Sequence, residues 1–316
     1  MSRLFRDVDR AMQASPGCVA CVGAFDGLHL GHQALVRRAV DDALAREVRA
    51  VAITFDPLPR EFFSRGAVSP RLMSTRTRIE RLFALGIDDV LLLRFDARLS
   101  GMEAADFVSR VLVDALRVES LWVGPDFRFG RARAGDIDLL RNAGARHGFQ
   151  ADAIDPVAAS GERISSTRIR DALAAGDFQL AARLLGRPYR IEGRVVRGRQ
   201  LGRTLRYPTA NLRLPAGTPP LTGIFATRVH GLSPTPLDAV SSLGTRPTVG
   251  GIEPLLETHI FDFDADIYAR RIGIEFVEKL RDEVKFDGLP ALVAQMDRDA
   301  DQARQVLAPL NSRRTA

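Results

Sequence analysis

Lysine is almost missing from this chain. Lys279 and Lys285 are the only two, and arginine supplies the other 43 of the 45 basic residues. Tryptophan occurs once, tyrosine three times and cysteine twice. Two cysteines exclude a disulfide framework. They form a C-x-x-C, Cys18 and Cys21, inside an apolar run that reads as a strand, where residues three apart point to opposite faces. Two small buried side chains are expected there, not a redox pair. No apolar run approaches the roughly 18 residues that a membrane-spanning helix needs. The first residues, Met1-Ser2-Arg3-Leu4-Phe5-Arg6-Asp7, lack a signal-peptide core. A cytoplasmic protein with no membrane partner is expected. The net charge is +6, but there is no block of five like charges and no basic run interleaved with aromatics. That argues against nucleic acid and leaves phosphorylated small molecules as the expected partners.

What is present points to two globular domains. At 316 residues, 46% hydrophobic and 27% charged, the chain has room for two cores. In the first half, apolar runs at 18–22, 49–55, 89–93, 120–123 and 149–154 read as strands, and 33–40, 75–85, 103–115 and 135–147 read as helices. Such alternation predicts a doubly wound α/β sheet with its ligand crevice at the C-terminal strand ends. Asp177 to Leu185 reads as a short helix, and Gly186-Arg187-Pro188-Tyr189 as a link. Beyond it, short β-type runs at 190–196, 209–214, 224–230, 239–243, 255–261 and 272–280 predict a small antiparallel barrel or sandwich. An amphipathic helix over 289–307 closes the chain.

The chemistry concentrates in a few stretches. Gly23-Ala24-Phe25-Asp26-Gly27-Leu28-His29-Leu30-Gly31-His32 joins the first strand to the first helix. Glycines let the backbone approach a ligand closely, and a helix start offers unpaired N–H groups to a phosphate. His29 and His32 can donate hydrogen bonds to a polyphosphate and to departing pyrophosphate. Gly124-Pro125-Asp126-Phe127-Arg128-Phe129-Gly130 follows the fourth strand. Its two aromatics can hold a planar ring or simply close a core. In Ile164-Ser165-Ser166-Thr167-Arg168-Ile169-Arg170, Ser165 or Ser166 can cap a helix and Arg168 can fork onto a phosphate.

In the second half, a glycine-spaced loop from Gly198 through Gly202 to Pro208 can wrap phosphates. Thr209 and Asn211, two apart on an expected strand, suit a hard Mg²⁺ ion bridging nucleotide phosphates. Glu257 lies inside an apolar strand, where an idle charge is costly, and can serve as a general base toward a hydroxyl. A merely paired or exposed strand glutamate remains the alternative.

H-x-G-H after a first strand resembles the nucleotidyltransferase superfamily. The longer G-x-F-D-G-x-H-x-G-H string, the G-P-D-F-x-F-G loop and I-S-S-T-R-I-R resemble the N-terminal half of prokaryotic bifunctional riboflavin kinase/FAD synthetases. P-T-A-N, Gly244 to Thr248, Glu257, Phe261-Asp262-Phe263-Asp264 and Lys285-Phe286 resemble their riboflavin kinase domain. The resemblance implies a Rossmann-like nucleotidyltransferase domain with a parallel sheet over 1–186, and a small antiparallel β-barrel with a terminal helix over 187–316. It implies adenylyl transfer from ATP to FMN at Gly23, Phe25, Asp26, Gly27, His29, Gly31, His32, Ser165, Ser166, Thr167 and Arg168, with flavin near Asp126, Phe127 and Phe129. It implies riboflavin phosphorylation at Gly198, Gly202 and Pro208, with Mg-ATP on Thr209 and Asn211 and with Glu257 as base. Riboflavin, FMN, FAD, ATP and Mg²⁺ are the expected small molecules, and a monomer or weak oligomer the expected state. The chain departs from the family at four positions. Arg206 replaces a third glycine, Ala269 a glycine after a tyrosine, Ser242 a common asparagine, and Leu58 a histidine. Two rivals are an adenylyl- or cytidylyltransferase for another substrate with a regulatory flavin-binding barrel, and an RNA-binding protein.

Overall fold

The computed structural model describes residues 2–6, 8, 17–64, 70–159, 161–198, 207–214, 219–248 and 251–312. The chain divides into two compact units, residues 1–68 with 75–165, and residues 69–74 with 166–316.

The first unit is built on a six-stranded parallel sheet in the order β1-β4-β3-β2-β5-β6. Its strands are β1 (Arg3–Phe5), β2 (Cys18–Val22), β3 (Arg49–Asp56), β4 (Asp89–Arg94), β5 (Val118–Val123) and β6 (Gln150–Ala153). β2 is buried at every position, the expected state of a central parallel strand covered on both faces. Cys18 and Cys21 are free and buried, and burial together with the neighbouring Cys18 pushes the Cys21 thiol up to about 12. The helix expected over 103–115 starts as a single α-turn, Ala104–Phe107, and continues as a π-helix, Val108–Ala115. Its wider turns are invisible to a 3.6-residue count.

Sequence patterning misses β1. Three residues are too few to show a period, and the strand is fixed from outside. It pairs with β4, and Arg3 forks onto Asp89 at 2.8 and 2.6 Å while Arg49 forks onto the same carboxylate at 2.7 and 2.7 Å. Patterning also misses the helix Pro59–Phe63, which opens on a proline where the missing N–H costs nothing, and the short hairpin of β7 (Ala158–Ala159) and β8 (Glu162–Arg163).

The second unit is a closed antiparallel barrel in the order β10-β13-β12-β11-β14-β9. Its strands are β9 (Arg190–Val196), β10 (Ala210–Arg213), β11 (Gly223–His230), β12 (Leu237–Thr248), β13 (Gly251–Ile260) and β14 (Arg271–Arg281). Closure removes the sheet edges, and with them the choice between barrel and sandwich. Leu212, Leu243, Leu256 and Ile274, from four different strands, are fully buried in the barrel. The terminal helix, Leu289–Ser312, lies on β11, β12 and β14, with Ala303 and Leu307 buried beside Ala226 and Phe261. The helices Ser166–Ala174 and Phe178–Leu185 also belong to this unit. Phe178 explains the second, since its ring meets Phe225 and Phe276 at 6.0 Å each. Burying one such ring is worth about 1.5–3 kcal/mol. Segment 69–74 joins the same unit, and Arg170 Nε donates to the Pro70 carbonyl at 2.8 Å.

Candidate functional sites

In the first unit, the Gly23–His32 turn leaves the C-terminal end of β2 and enters the helix Leu30–Ala45. His29 is the residue before that helix, and its Nδ1 accepts from the His32 backbone N–H at 3.2 Å. An accepting Nδ1 fixes the neutral ring's proton on Nε2. The two imidazoles lie face to face, and the edge of Phe25 meets His32 at 5.4 Å. Burial, then the neighbouring His29 and the Arg78 cation, hold His32 well below the usual imidazole range, so it is neutral at pH 7. Its Nδ1 is sealed inside without a hydrogen-bond partner. Gly27 has φ +81°, a conformation open to glycine. Phe25 and Leu28, at φ +49° and +42°, hold left-handed conformations without that freedom. Asp26 is 1% exposed and takes an ion pair from Arg60 at 2.7 Å, so it anchors the turn from below. A Cβ on Gly31 would press on the His29 ring at 3.2 Å.

The aromatic loop separates into different environments. Phe129 is buried in the sheet's core against Phe107, at 5.6 Å between ring centroids. Phe127 stacks on it at 5.5 Å and is half-buried. Asp126 is exposed and ion-paired with Arg163. A planar ligand therefore has Phe127 to meet, with Phe129 fixing its position from beneath. Ser165 ends the first unit. Ser166 opens the helix Ser166–Ala174 of the second, with Thr167 exposed and Arg168 half-buried.

In the second unit, a cavity of about 440 Å³ is lined by Gly198, Pro208, Thr209, Asn211, Asp264 and Asp266, among others. β10 begins at Ala210, so Thr209 precedes the strand instead of lying on it. The pair nevertheless meets, since Asn211 Nδ2 donates to Thr209 Oγ1 at 3.4 Å and to its carbonyl at 3.3 Å. A Cβ on Gly198 would come within 2.7 Å of the Asn211 amide, so glycine lets the loop lie directly on it. Antiparallel register sets Glu257 opposite Asn211 on β10 and opposite Ser242 on β12, so the three side chains share one face. Glu283 seats its carboxyl on Gly244, one step along that face. Burial pushes Glu283 up, Arg281 opposes this, and the charge of Glu257 adds to it. The oxygen donors at Thr209 and Asn211, with the aspartates of the same cavity, fit a hard divalent cation. Pro208 is held by His259, whose Nδ1 lies 2.9 Å from the Pro208 carbonyl, and Tyr207 bonds Asp297 of the terminal helix. Gly202 and Arg206 lie outside the described residues. Ala269 takes φ +61°.

Sequence reading missed Arg60 and Arg78 in the first unit, and Glu283, His259 and Asp297 in the second. In a chain this rich in arginine, a helical arginine carries no signal of its own. The other three reach the sites only through strand pairing and helix docking.

These are the constructions of a nucleotidyltransferase domain and of a flavokinase barrel. Family models agree: FAD synthetase matches residues 11–168, and riboflavin kinase matches residues 185–307. The bifunctional riboflavin kinase/FMN adenylyltransferase of Pseudomonas fluorescens is 43% identical over 308 residues, covering 97% of this chain and 98% of the relative. The protein of that name from Escherichia coli strain K12 is 42% identical over 304 residues, covering 96% and 97%. The chain belongs to the bifunctional riboflavin kinase/FMN adenylyltransferase family. A solved structure described as a macrolide-efflux protein from Streptococcus pneumoniae matches with TM-score 0.77 and 29% identity over 95% of this chain and 98% of that one. That likeness is one of fold. Among the described residues of this chain, no helix is long and apolar enough to cross a membrane.

Proposed function

We propose that this chain phosphorylates riboflavin to FMN in its C-terminal domain, residues 187–316, and transfers AMP from ATP to FMN in its N-terminal domain, residues 1–186. The observation that carries the kinase half is the register of β10 and β13, which sets Asn211 directly beside Glu257. Glu257 takes the proton from the riboflavin 5′-hydroxyl as that oxygen attacks the γ-phosphorus of ATP, and ADP leaves. Gly198, Gly202 and Pro208 wrap the nucleotide phosphates. Thr209 and Asn211 would hold Mg²⁺, which when bound neutralises charge on the phosphates.

In the other half, a phosphate oxygen of FMN attacks the α-phosphorus of ATP and pyrophosphate leaves. No protein nucleophile is needed, so catalysis is positioning and charge stabilisation. His29 and His32 donate to the triphosphate and the leaving pyrophosphate. Ser165 of the same unit binds its oxygens, and Asp126, Phe127 and Phe129 form the flavin side. The protein is a cytoplasmic monomer or weak oligomer, with no nucleic-acid or membrane partner.

The test is an incubation with riboflavin, ATP and Mg²⁺, with a second started from FMN, each resolved into riboflavin, FMN and FAD by chromatography. FAD in both supports the reading. FAD from FMN alone removes the kinase half and favours a flavin-sensing barrel. No FAD in either overturns it.

A further inference from the structure

Arg78 is a buried cation at the centre of the first unit, 2% exposed, on the helix Thr75–Ala84. Its Nη1 donates to the Ala24 carbonyl at 2.9 Å and its Nη2 to the Phe55 carbonyl at 2.7 Å. Ala24 lies in the Gly23–His32 turn, and Phe55 is at the end of β3. β2 and β3 are paired in parallel, with Val22 opposite Ile53, so Ala24 and Phe55 lie at the same, C-terminal end of two adjacent strands. One planar guanidinium therefore clasps the turn to the neighbouring strand. A guanidinium presents several donors in a rigid fork, whereas an ammonium is a point charge on a flexible stem.

The turn needs such a clasp. Phe25 and Leu28 hold left-handed backbone conformations that persist only when the surroundings impose them. The clasped carbonyl is that of the residue before Phe25, whose ring edge meets His32. The same helix is tied to the last residue of β3, since Thr75 Oγ1 donates to Asp56 Oδ1 at 3.2 Å.

We propose that Arg78 is a positioning residue for adenylyl transfer, holding the Gly23–His32 turn in the shape that presents His29 and His32 to the triphosphate. This rests on the assignment of adenylyl transfer to the first unit. The position serves a second end. Among the described residues, the charged and titratable groups that bear on His32 are the His29 ring of its own turn and the Arg78 cation of the packed helix, while Asp26 in the turn is matched by Arg60. The Arg78 charge discourages protonation of His32, so the imidazole stays a neutral donor.

The experiment compares the full chain with Arg78→Gln and Arg78→Lys. Three quantities are read: kcat and KM for FAD formation from FMN, riboflavin phosphorylation in the same preparation, and the His32 imidazole titration by NMR. Arg78→Gln is expected to lower kcat for FAD formation about a hundredfold, the scale of a small misplacement of reacting groups. Riboflavin phosphorylation stays within twofold, and the His32 titration moves to higher pH. Arg78→Lys keeps the charge but not the fork, so the titration stays low while kcat falls. FAD formation within twofold of the parent in folded Arg78→Gln overturns the proposal. If that variant does not fold, unchanged kcat in Arg78→Lys overturns it. Equal loss of both reactions also overturns it, since the role is then general stability. A parent chain that makes no FAD from FMN overturns the underlying assignment instead.

Discussion

The rings of His29 and His32 are stacked, with centroids 3.7 Å apart and planes 15° from parallel. Two imidazolium ions so placed would repel each other, so the pair takes on charge reluctantly. His32, held low by burial and by its neighbours, stays neutral through the ordinary imidazole range near 6.5. An NMR titration of the free protein is expected to show no His32 protonation at pH 6. His32→Ala should cut FAD formation from FMN about 10²–10³-fold, as loss of one charge-stabilising donor does, while riboflavin phosphorylation continues.

Glu257→Gln removes the base but keeps the shape of the strand. Riboflavin-started FAD synthesis is expected to fall about 10²–10⁴-fold, while FMN-started synthesis is unchanged. Chromatographic separation of the three flavins from both reactions checks this.

Gly198→Ala drives a methyl group into the Asn211 amide. The KM for ATP in riboflavin phosphorylation should rise, and the KM for ATP in adenylyl transfer should not. Initial rates at varied ATP decide it.

Ala269 occupies φ +61° without glycine's freedom. Ala269→Gly relieves about 1–2 kcal/mol of left-handed strain and gives back about 0.5–1 kcal/mol through the mobility of glycine in the unfolded chain. A net gain of up to about 1.5 kcal/mol is expected, read as a higher midpoint in denaturant titration of the second unit.

Burial opposes ionisation of Asp89, but hydrogen bonds from Arg3 and Arg49 hold its carboxyl below the usual range. A depressed folded value means this stability is fully present above the unfolded value near 3.9 and is lost as the pH falls through the folded value. Denaturant midpoints should therefore drop more steeply below pH 4 in the parent than in Asp89→Asn. At pH 7 that variant should be destabilised by about 1–3 kcal/mol.

The sequence by itself determined the alternation of strand and helix, the switch to successive strands after Tyr189, and the identity of the motifs. All of these are local: hydrophobic period, turn chemistry and residue spacing are written within a dozen residues. Three of the strands after Tyr189, β12, β13 and β14, are 10 to 12 residues long, longer than the short runs expected. Tertiary structure decided what depends on partners far along the chain. β1 exists because Arg3 finds Asp89, 86 residues away. Closure into a barrel depends on β9 meeting both β10 and β14. Glu257 stands beside Asn211 because two strands pair in one register, and a slip of one residue would turn it to the other face. Phe127 and Phe129, indistinguishable by spacing, were separated by the core that took one of them. Arg78 looked like one arginine among 43 until folding set the Ala24 and Phe55 carbonyls within reach of one guanidinium. Local propensity names the parts, but a buried polar group is assigned its work only by the partners that must satisfy it.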